Sequence, residues 1–135
     1  DNTVDVVRSL SSDCKVERII TKFVWDRNET ADRNALLSVG RSIGGTHFIV
    51  IDADEAFTAN LADGDELRTQ ILSLRVGESL ALFWIQLWKS PHYYRTDRLY
   101  ADGGAFHGLF GTLAMPCAFR DDGMAEYDGE FIHTR

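Results

Sequence analysis

The first 45 residues alternate between helical and extended patterns of apolar positions. Residues 1–12 place apolar side chains at helical spacing behind residues that can cap a helix, which predicts a first helix. Residues 15–24 are rich in β-branched and aromatic side chains and favour a strand. A polar break then precedes residues 31–43, whose apolar periodicity predicts a second helix, ended by Gly44 and Gly45.

The middle of the chain contains two continuous apolar runs. Residues 47–51 follow the glycines directly and predict a short strand that is buried on both faces, as in a parallel sheet. A helix capped by Asp63 or Asp65 and stopped by Gly77 is expected next. Residues 79–88 are a second apolar run, interpreted as a buried strand, although periodicity does not separate this from a buried helix.

The last third of the chain combines aromatic residues, glycines and charged residues. Residues 91–111 predict a long aromatic loop of the kind that forms binding surfaces. A short strand over 113–119, a turn at 121–123 and a final strand over 130–133 are expected after it. The order of helices and strands therefore predicts a single domain with an α/β layered fold and a mostly parallel central sheet.

Three acidic residues among four, Asp52, Asp54 and Glu55, follow the first apolar run. In parallel α/β sheets ligands bind beyond the carboxyl ends of the strands. Residues i and i+2 of an extended chain point the same way, so Asp52 and Asp54 are expected to face one point. Carboxylates in that arrangement suit Mg²⁺ or Mn²⁺. The alternative is a solvated loop whose acids cap the next helix.

The composition of the chain argues against several classes of protein. A net charge of -7 argues against a general nucleic-acid binder, which carries a basic face. No apolar run approaches the roughly 20 residues of a membrane span. Cys14 and Cys117 have no metal-type spacing and are interpreted as reduced thiols, which predicts a cytoplasmic location.

At this point the sequence resembles the nucleotide-sugar-binding half of a family 2 glycosyltransferase with the Rossmann-like GT-A fold. The resemblance covers roughly residues 1–90. It is carried by Asp1-Asn2-Thr3 entering a helix, Arg33-Asn34 in the next helix, a Gly-Gly stop, an apolar strand and Asp52-Ala53-Asp54. Residues 91–135 would form the acceptor side, and Phe119-Arg120 through His133 are similar to a looser pattern in some bacterial members.

The resemblance implies metal-dependent, inverting transfer of a sugar from a nucleoside diphosphate sugar to an acceptor hydroxyl. It implies that Asp54 and Asp52 hold Mn²⁺ or Mg²⁺ and that Asp52 also contacts the donor. Arg33 would lie beside the nucleotide; its alternative is a surface ion pair with Asp26, Glu29 or Asp32.

Four further residues are candidates for the same site. His133 is a possible third metal ligand, and Trp88 can stack on a sugar. Asp97 and Asp102 are the acids of the aromatic loop that could act as the catalytic base. Each of the four also has an ordinary structural interpretation.

The family pattern also has strands that would precede Asp1, so we expect an incomplete fold with an open sheet edge. An open edge can recruit a partner or form a homodimer. This supports an alternative interpretation as a non-catalytic interaction module. A phosphohydrolase that uses Asp52 as nucleophile is a third interpretation, and Ala56 departs from the Thr or Val expected there.

Overall fold

The computed structural model describes residues 2–10, 15–58, 65–85, 87, 89–93 and 113–129. These parts of the chain form three helices and three strands. The helices are α1 (Thr3–Ser9), α2 (Glu29–Ser42) and α3 (Asp65–Leu72), and the strands are β1 (His47–Ile49), β2 (Ser79–Trp84) and β3 (Leu113–Arg120).

Local signals at both ends define helix α2. The Asn28 side chain accepts a hydrogen bond from the Ala31 amide at 3.0 Å, as an N-cap does. At the other end, the Gly45 amide donates to the Gly40 carbonyl, and Gly44 has φ +86°. This is a Schellman motif, in which glycine adopts the left-handed conformation without steric cost. The predicted helix and its glycine stop are confirmed, with the start two residues earlier at Glu29.

The sheet is antiparallel throughout, with strand order β1-β3-β2. The predicted mostly parallel, Rossmann-like layered fold is therefore wrong. The apolar run at 47–51 signals a strand, but it contains no information about the direction of the neighbouring strand. β1 has only three residues and lies at a sheet edge, and its Ile49 is 50% exposed rather than buried on both faces.

The strand predicted over 15–24 is also wrong. The backbone there has no regular structure, and Phe23 and Val24 are 100% and 74% exposed. A β-type pattern becomes a strand only when another strand takes its hydrogen bonds. Among the described strands, all pairings are between β1, β2 and β3, so this segment has no partner there.

The remaining element predictions have mixed outcomes. Strands over the first part of 79–88 and over 113–119 are confirmed as β2 and β3. The prediction that the first of these is a buried strand is wrong, because β2 lies at an edge of the described sheet and its Phe83 is 68% exposed. The predicted third helix exists but ends at Leu72, and Gly77 lies in the turn before β2 with φ +80°. The strand predicted over 130–133 and most of the loop predicted over 91–111 lie outside the described residues.

The two faces of the sheet pack against different helices. Successive residues of a strand point to opposite faces. Phe119 of β3 stacks on Phe48 with ring centroids 5.4 Å apart, and the Phe48 ring lies against Gly40 of α2. The neighbouring Ala118 is 2% exposed and belongs to the buried cluster on α3.

The α3 face contains the apolar core. Leu67 and Ile71 of α3 are buried with Ala118, and partly buried hydrophobic side chains pack around them: Phe57, Leu80, Leu82 and Cys117. The pairing of β2 with β3 shifts register between Leu80 and Ala81, whose partners are Ala118 and Pro116. Cys117 is the extra residue of this bulge, which brings it to the core beside Ala118.

Residues 121–129, called the strap below, run along α2. The Arg41 guanidinium donates to both carboxylate oxygens of Asp121 at 2.7 and 2.6 Å. The Asp121 side chain is only 7% exposed. These hydrogen bonds from Arg41 hold the pKa of Asp121 below its usual value despite its burial. The pair fixes the start of the strap to the last turn of α2.

Two more contacts fix the rest of the strap. The Asn34 amide donates to the Tyr127 carbonyl at 2.9 Å and accepts from the Tyr127 amide at 2.8 Å. The Gly129 carbonyl accepts from the Thr30 hydroxyl at 3.0 Å. The strap therefore crosses α2 from its last turn to its first and brings Tyr127 to the middle of the helix.

In the described parts of the chain, no helix is long and apolar enough to cross a membrane.

Candidate functional site

Arg33 lies at the centre of a cluster of charged side chains. Its Nη2 atom is 2.6 Å from Asp52 Oδ1, and its Nε atom donates to Glu29 Oε1 at 2.5 Å. The Arg33 side chain is 13% exposed, against 24% for Glu29 and 33% for Asp52. The cluster therefore joins the first turns of α2 to the acidic turn that follows β1, and solvent screens it less than a surface pair.

Tyr127 of the strap closes one side of this cluster. The Arg33 guanidinium carbon lies 5.9 Å from the centroid of the Tyr127 ring, within the range of a cation–π contact. Desolvation raises the pKa of the Tyr127 hydroxyl, although the nearby Arg33 charge acts in the opposite direction. The aromatic face thus shields Arg33 while Asn34 holds the strap in place.

The charge of Arg33 is maintained by its acidic partners. Burial by itself lowers the pKa of a guanidinium. The hydrogen bonds to Asp52 and Glu29 outweigh this effect, and the pKa of Arg33 is raised above its usual value. Arg33 is a permanent cation, and the cluster has one positive and two negative partners in direct contact.

The predicted geometry of Asp52 and Asp54 needs correction. They were expected to point the same way from extended backbone, but residues 53–54 form a turn. The Glu55 amide donates to the Asp52 carbonyl at 3.0 Å, and Glu55 Oε2 accepts from the Asp52 amide at 2.9 Å. Glu55 closes this turn with its side chain, while Asp54 is exposed at its tip.

The donor set of this turn fits a hard divalent cation only in part. Carboxylate oxygens of Asp52 and Asp54 are the ligand type that Mg²⁺ and Mn²⁺ prefer, and Mg²⁺ is commonly held by one or two carboxylates with water and substrate phosphate. Within the described residues, no three His, Cys, Asp or Glu side chains form a metal-binding group. The turn therefore supplies the right type of ligand atom, but the described residues do not complete a set of metal ligands around it.

Several predicted site residues fall outside the described parts of the chain. These are Trp88, Asp97, Asp102 and His133. The structure therefore brings together Arg33, Asp52 and the Asp54 turn, and the predicted catalytic base and third metal ligand stay predictions. Cys14 is likewise outside the described residues.

Sequence reasoning found part of the cluster. Of the three acids named as alternative surface partners of Arg33, Glu29 is a partner, but the Arg33 side chain is only 13% exposed, so the pair is not a surface one. The second partner, Asp52, was not predicted, and the position of Arg33 beside a nucleotide stays a prediction. The role of Tyr127 was missed. Asn34 and Tyr127 are 93 residues apart, so no local signal connects them.

A cavity of about 260 Å³ lies between α2, β3 and the strap. Its walls are largely apolar, and they include Tyr127, whose ring also contacts Arg33. The other lining residues include Leu37, Val50, Pro116, Phe119 and Ala125.

No protein-family model, curated protein or solved structure matches this chain.

Proposed function

We propose that the chain binds the diphosphate of a nucleoside diphosphate sugar, together with a divalent cation, and acts in transfer of the sugar to a hydroxyl acceptor. The observation that supports this is the contact of Arg33 with Asp52 at 2.6 Å, one residue away from the turn that exposes Asp54. A diphosphate–cation complex needs both signs of charge at one place, and this cluster offers both. The layered parallel fold of the resembling family is not part of the proposal.

In this proposal each side chain has a distinct task. Asp52 and Asp54 would hold Mn²⁺ or Mg²⁺, which neutralises charge on the leaving diphosphate when it is bound. Arg33 would donate its fork of N–H groups to phosphate oxygens. Asn34 and Tyr127 would keep Arg33 at its place. The catalytic base stays assigned to Asp97 or Asp102, with His133 and Trp88 as further contacts and the cytoplasm as the compartment.

The test is a calorimetric titration with uridine diphosphate, with and without Mn²⁺, repeated with guanosine diphosphate. The expected result is binding that requires the metal. Asp54→Asn should reduce the nucleotide affinity at least tenfold, because it removes a charged oxygen ligand. Asp65→Asn is the matched control, since Asp65 is an exposed acid in the first turn of α3.

A folded protein that binds neither nucleotide would contradict the proposal. So would equal affinity in the Asp54→Asn variant and the wild type. Thermal unfolding of both variants separates loss of a ligand from loss of the fold.

One observation favours a second function, that of an interaction module. Phe23, Val24 and Trp25 are all at least 65% exposed and adjacent in sequence, and β1 and β2 leave both edges of the described sheet open. Open edges and apolar clusters are surfaces that other chains can cover. Light scattering measures the oligomeric state with and without nucleotide. A homodimer whose formation does not depend on nucleotide would favour this function over the first.

A further inference from the structure

The cavity between α2, β3 and the strap is larger than an ordinary packing defect. Protein interiors contain few voids that exceed the size of a water molecule, whereas this cavity has a volume of about 260 Å³. One wall is formed by Leu37, the buried residue of α2. The α2 face of the sheet therefore encloses apolar space that the described side chains leave open.

The walls of the cavity favour an uncharged occupant. Arg120 belongs to the lining, but its Nη1 atom donates to the Leu74 carbonyl at 3.1 Å. The Asp122 carboxylate accepts from two backbone amides of the strap at 2.8 Å, and Glu126 is exposed to solvent. Burial raises the pKa of the Tyr127 hydroxyl, which agrees with a wall of low polarity. A buried water needs about two to four polar partners, so these walls favour an apolar molecule over water.

The size of the cavity and its aromatic lining together indicate a flat aromatic molecule. A cavity of about 150 Å³ admits benzene, so by proportion a cavity of about 260 Å³ admits a molecule of about ten heavy atoms. Phe119 and Tyr127 both line it, and aromatic side chains gain from stacked or edge-to-face contacts with another ring. A helix of a partner protein, about 10–12 Å across with its side chains, is too large for this volume.

We propose that the cavity binds an uncharged two-ring aromatic molecule, which packs between Leu37 of α2 and Tyr127 of the strap. The ligand completes the apolar packing of the α2 face, and it requires neither a metal ion nor a phosphate, so this inference does not rest on the proposed function. The strap supplies one wall through Ala125 and Tyr127, and two hydrogen bonds with Asn34 hold it there. A bound ligand therefore also stabilises the strap against local opening.

The experiment is a nuclear magnetic resonance titration of the wild-type protein with naphthalene, in the absence of nucleotide and metal. We expect saturable shifts of the amide signals of Val50, Ala125 and Tyr127, and slower hydrogen exchange at the Tyr127 amide. Adenine has a similar size, but its polar edges would be left unpaired by apolar walls, so it should bind at least tenfold more weakly. 1-Octanol is also of similar size but cannot stack on Phe119 or Tyr127, and it should bind severalfold more weakly.

Val50→Phe tests the place of binding. Val50 lines the cavity, so a larger side chain there occupies part of the space, and the affinity for naphthalene should fall at least tenfold. The melting temperature should be maintained, because the added ring fills open space. Ile49→Phe is the matched control at the neighbouring position. Ile49 is 50% exposed and lies on the opposite side of β1, so this substitution should leave the affinity unchanged.

Several outcomes would overturn the proposal. A folded wild type without saturable shifts at these amides binds no such ligand, and equal affinities for adenine and naphthalene would show that the walls do not select an apolar molecule. Tighter binding of 1-octanol would exclude an aromatic ligand. Unchanged naphthalene affinity in Val50→Phe would place the ligand elsewhere. If Val50→Phe does not fold, Ala125→Leu narrows the cavity from the strap instead, and the same loss of affinity is expected.

Discussion

The two faces of the sheet are held by different kinds of interaction. On the α3 face, Leu67, Ile71 and Ala118 are buried together at 7%, 6% and 2% exposure. On the α2 face, Leu37 is also buried at 5% exposure, but Arg33, Asn34 and Arg41 add hydrogen bonds and ion pairs to the strap and to Asp52. The α3 face is thus held mainly by apolar burial, whereas the α2 face combines apolar contacts with fixed polar groups and a cavity.

The largest expected effect is on the α3 face. Ile71→Ala should lower the free energy of unfolding by about 2–5 kcal/mol, because it removes a buried side chain and leaves a cavity. Leu72→Ala is the control at the neighbouring position, since Leu72 is 51% exposed. Urea denaturation of the two variants checks the prediction. Equal losses would show that the α3 face is not the main core.

The next effect tests the packing of α2 on β1. A Cβ atom at Gly40 would collide with the Phe48 ring. Gly40→Ala should therefore cost about 1–3 kcal/mol, as overpacking does, although alanine favours helices. Ser38→Ala, at an exposed position of the same helix, should be neutral or slightly stabilising in urea denaturation. A stabilised Gly40→Ala variant would contradict this packing.

A smaller effect is expected at the strap. Asn34→Ala removes two hydrogen bonds to the backbone of Tyr127, and we expect a loss of about 1–2 kcal/mol. Asn34→Asp retains an acceptor for the Tyr127 amide but places a carboxylate oxygen against the Tyr127 carbonyl, so it should not restore the lost stability. Hydrogen exchange at the Tyr127 amide is the direct measurement, and unchanged protection in Asn34→Ala would show that the strap is held by other contacts.

The Arg41–Asp121 pair on the α2 face predicts that the stability of the protein depends on pH. The hydrogen bonds that Asp121 accepts from Arg41 keep the pKa of Asp121 in the folded protein below the ordinary value of 3.8. The unfolded chain therefore binds this proton more readily, so the stabilisation is full above pH 3.8 and is lost as the pH falls through the folded pKa. Asp121→Asn should lower the melting temperature by several degrees at pH 7 and by less at pH 3. An equal loss at both values would contradict the charged pair.

The smallest effect is expected in residues 15–25, which pair with none of the described strands. Lys22 contacts Asp26 and Asp32 at 2.6 and 2.7 Å, but it is 38% exposed. Exposed pairs contribute little because solvent and salt screen them. Lys22→Ala should leave the melting temperature unchanged, and a clear decrease would place residues 15–25 in the cooperative fold.

Sequence reasoning succeeded where the determining signal is local. The Asn28 cap and the Gly44-Gly45 stop define α2 within a few residues. The apolar runs of β2 and β3 likewise identify these strands. The same reasoning failed for strand direction and for residues 15–24, because both depend on which distant segment supplies the hydrogen bonds.

The candidate site shows the same limit. Glu29 lies one helical turn before Arg33, so their pairing follows from helix spacing. The contact of Arg33 with Asp52 was not predicted, since Asp52 lies 19 residues away and helix spacing gives no sign of it. Tyr127 and the strap had no such support either. They reach the site through the antiparallel pairing of β3 with β1 and through hydrogen bonds with α2 across long sequence separations.

The sequence separation of the strap contacts has a consequence for the order of folding. Arg41 and Asp121 are 80 residues apart, and Thr30 and Gly129 are 99 residues apart. Contacts across such long loops pay a large closure entropy before they gain any stabilisation, and they slow folding. During synthesis α2 leaves the ribosome long before its strap, so Arg33 meets Tyr127 only after nearly all the described chain has been made.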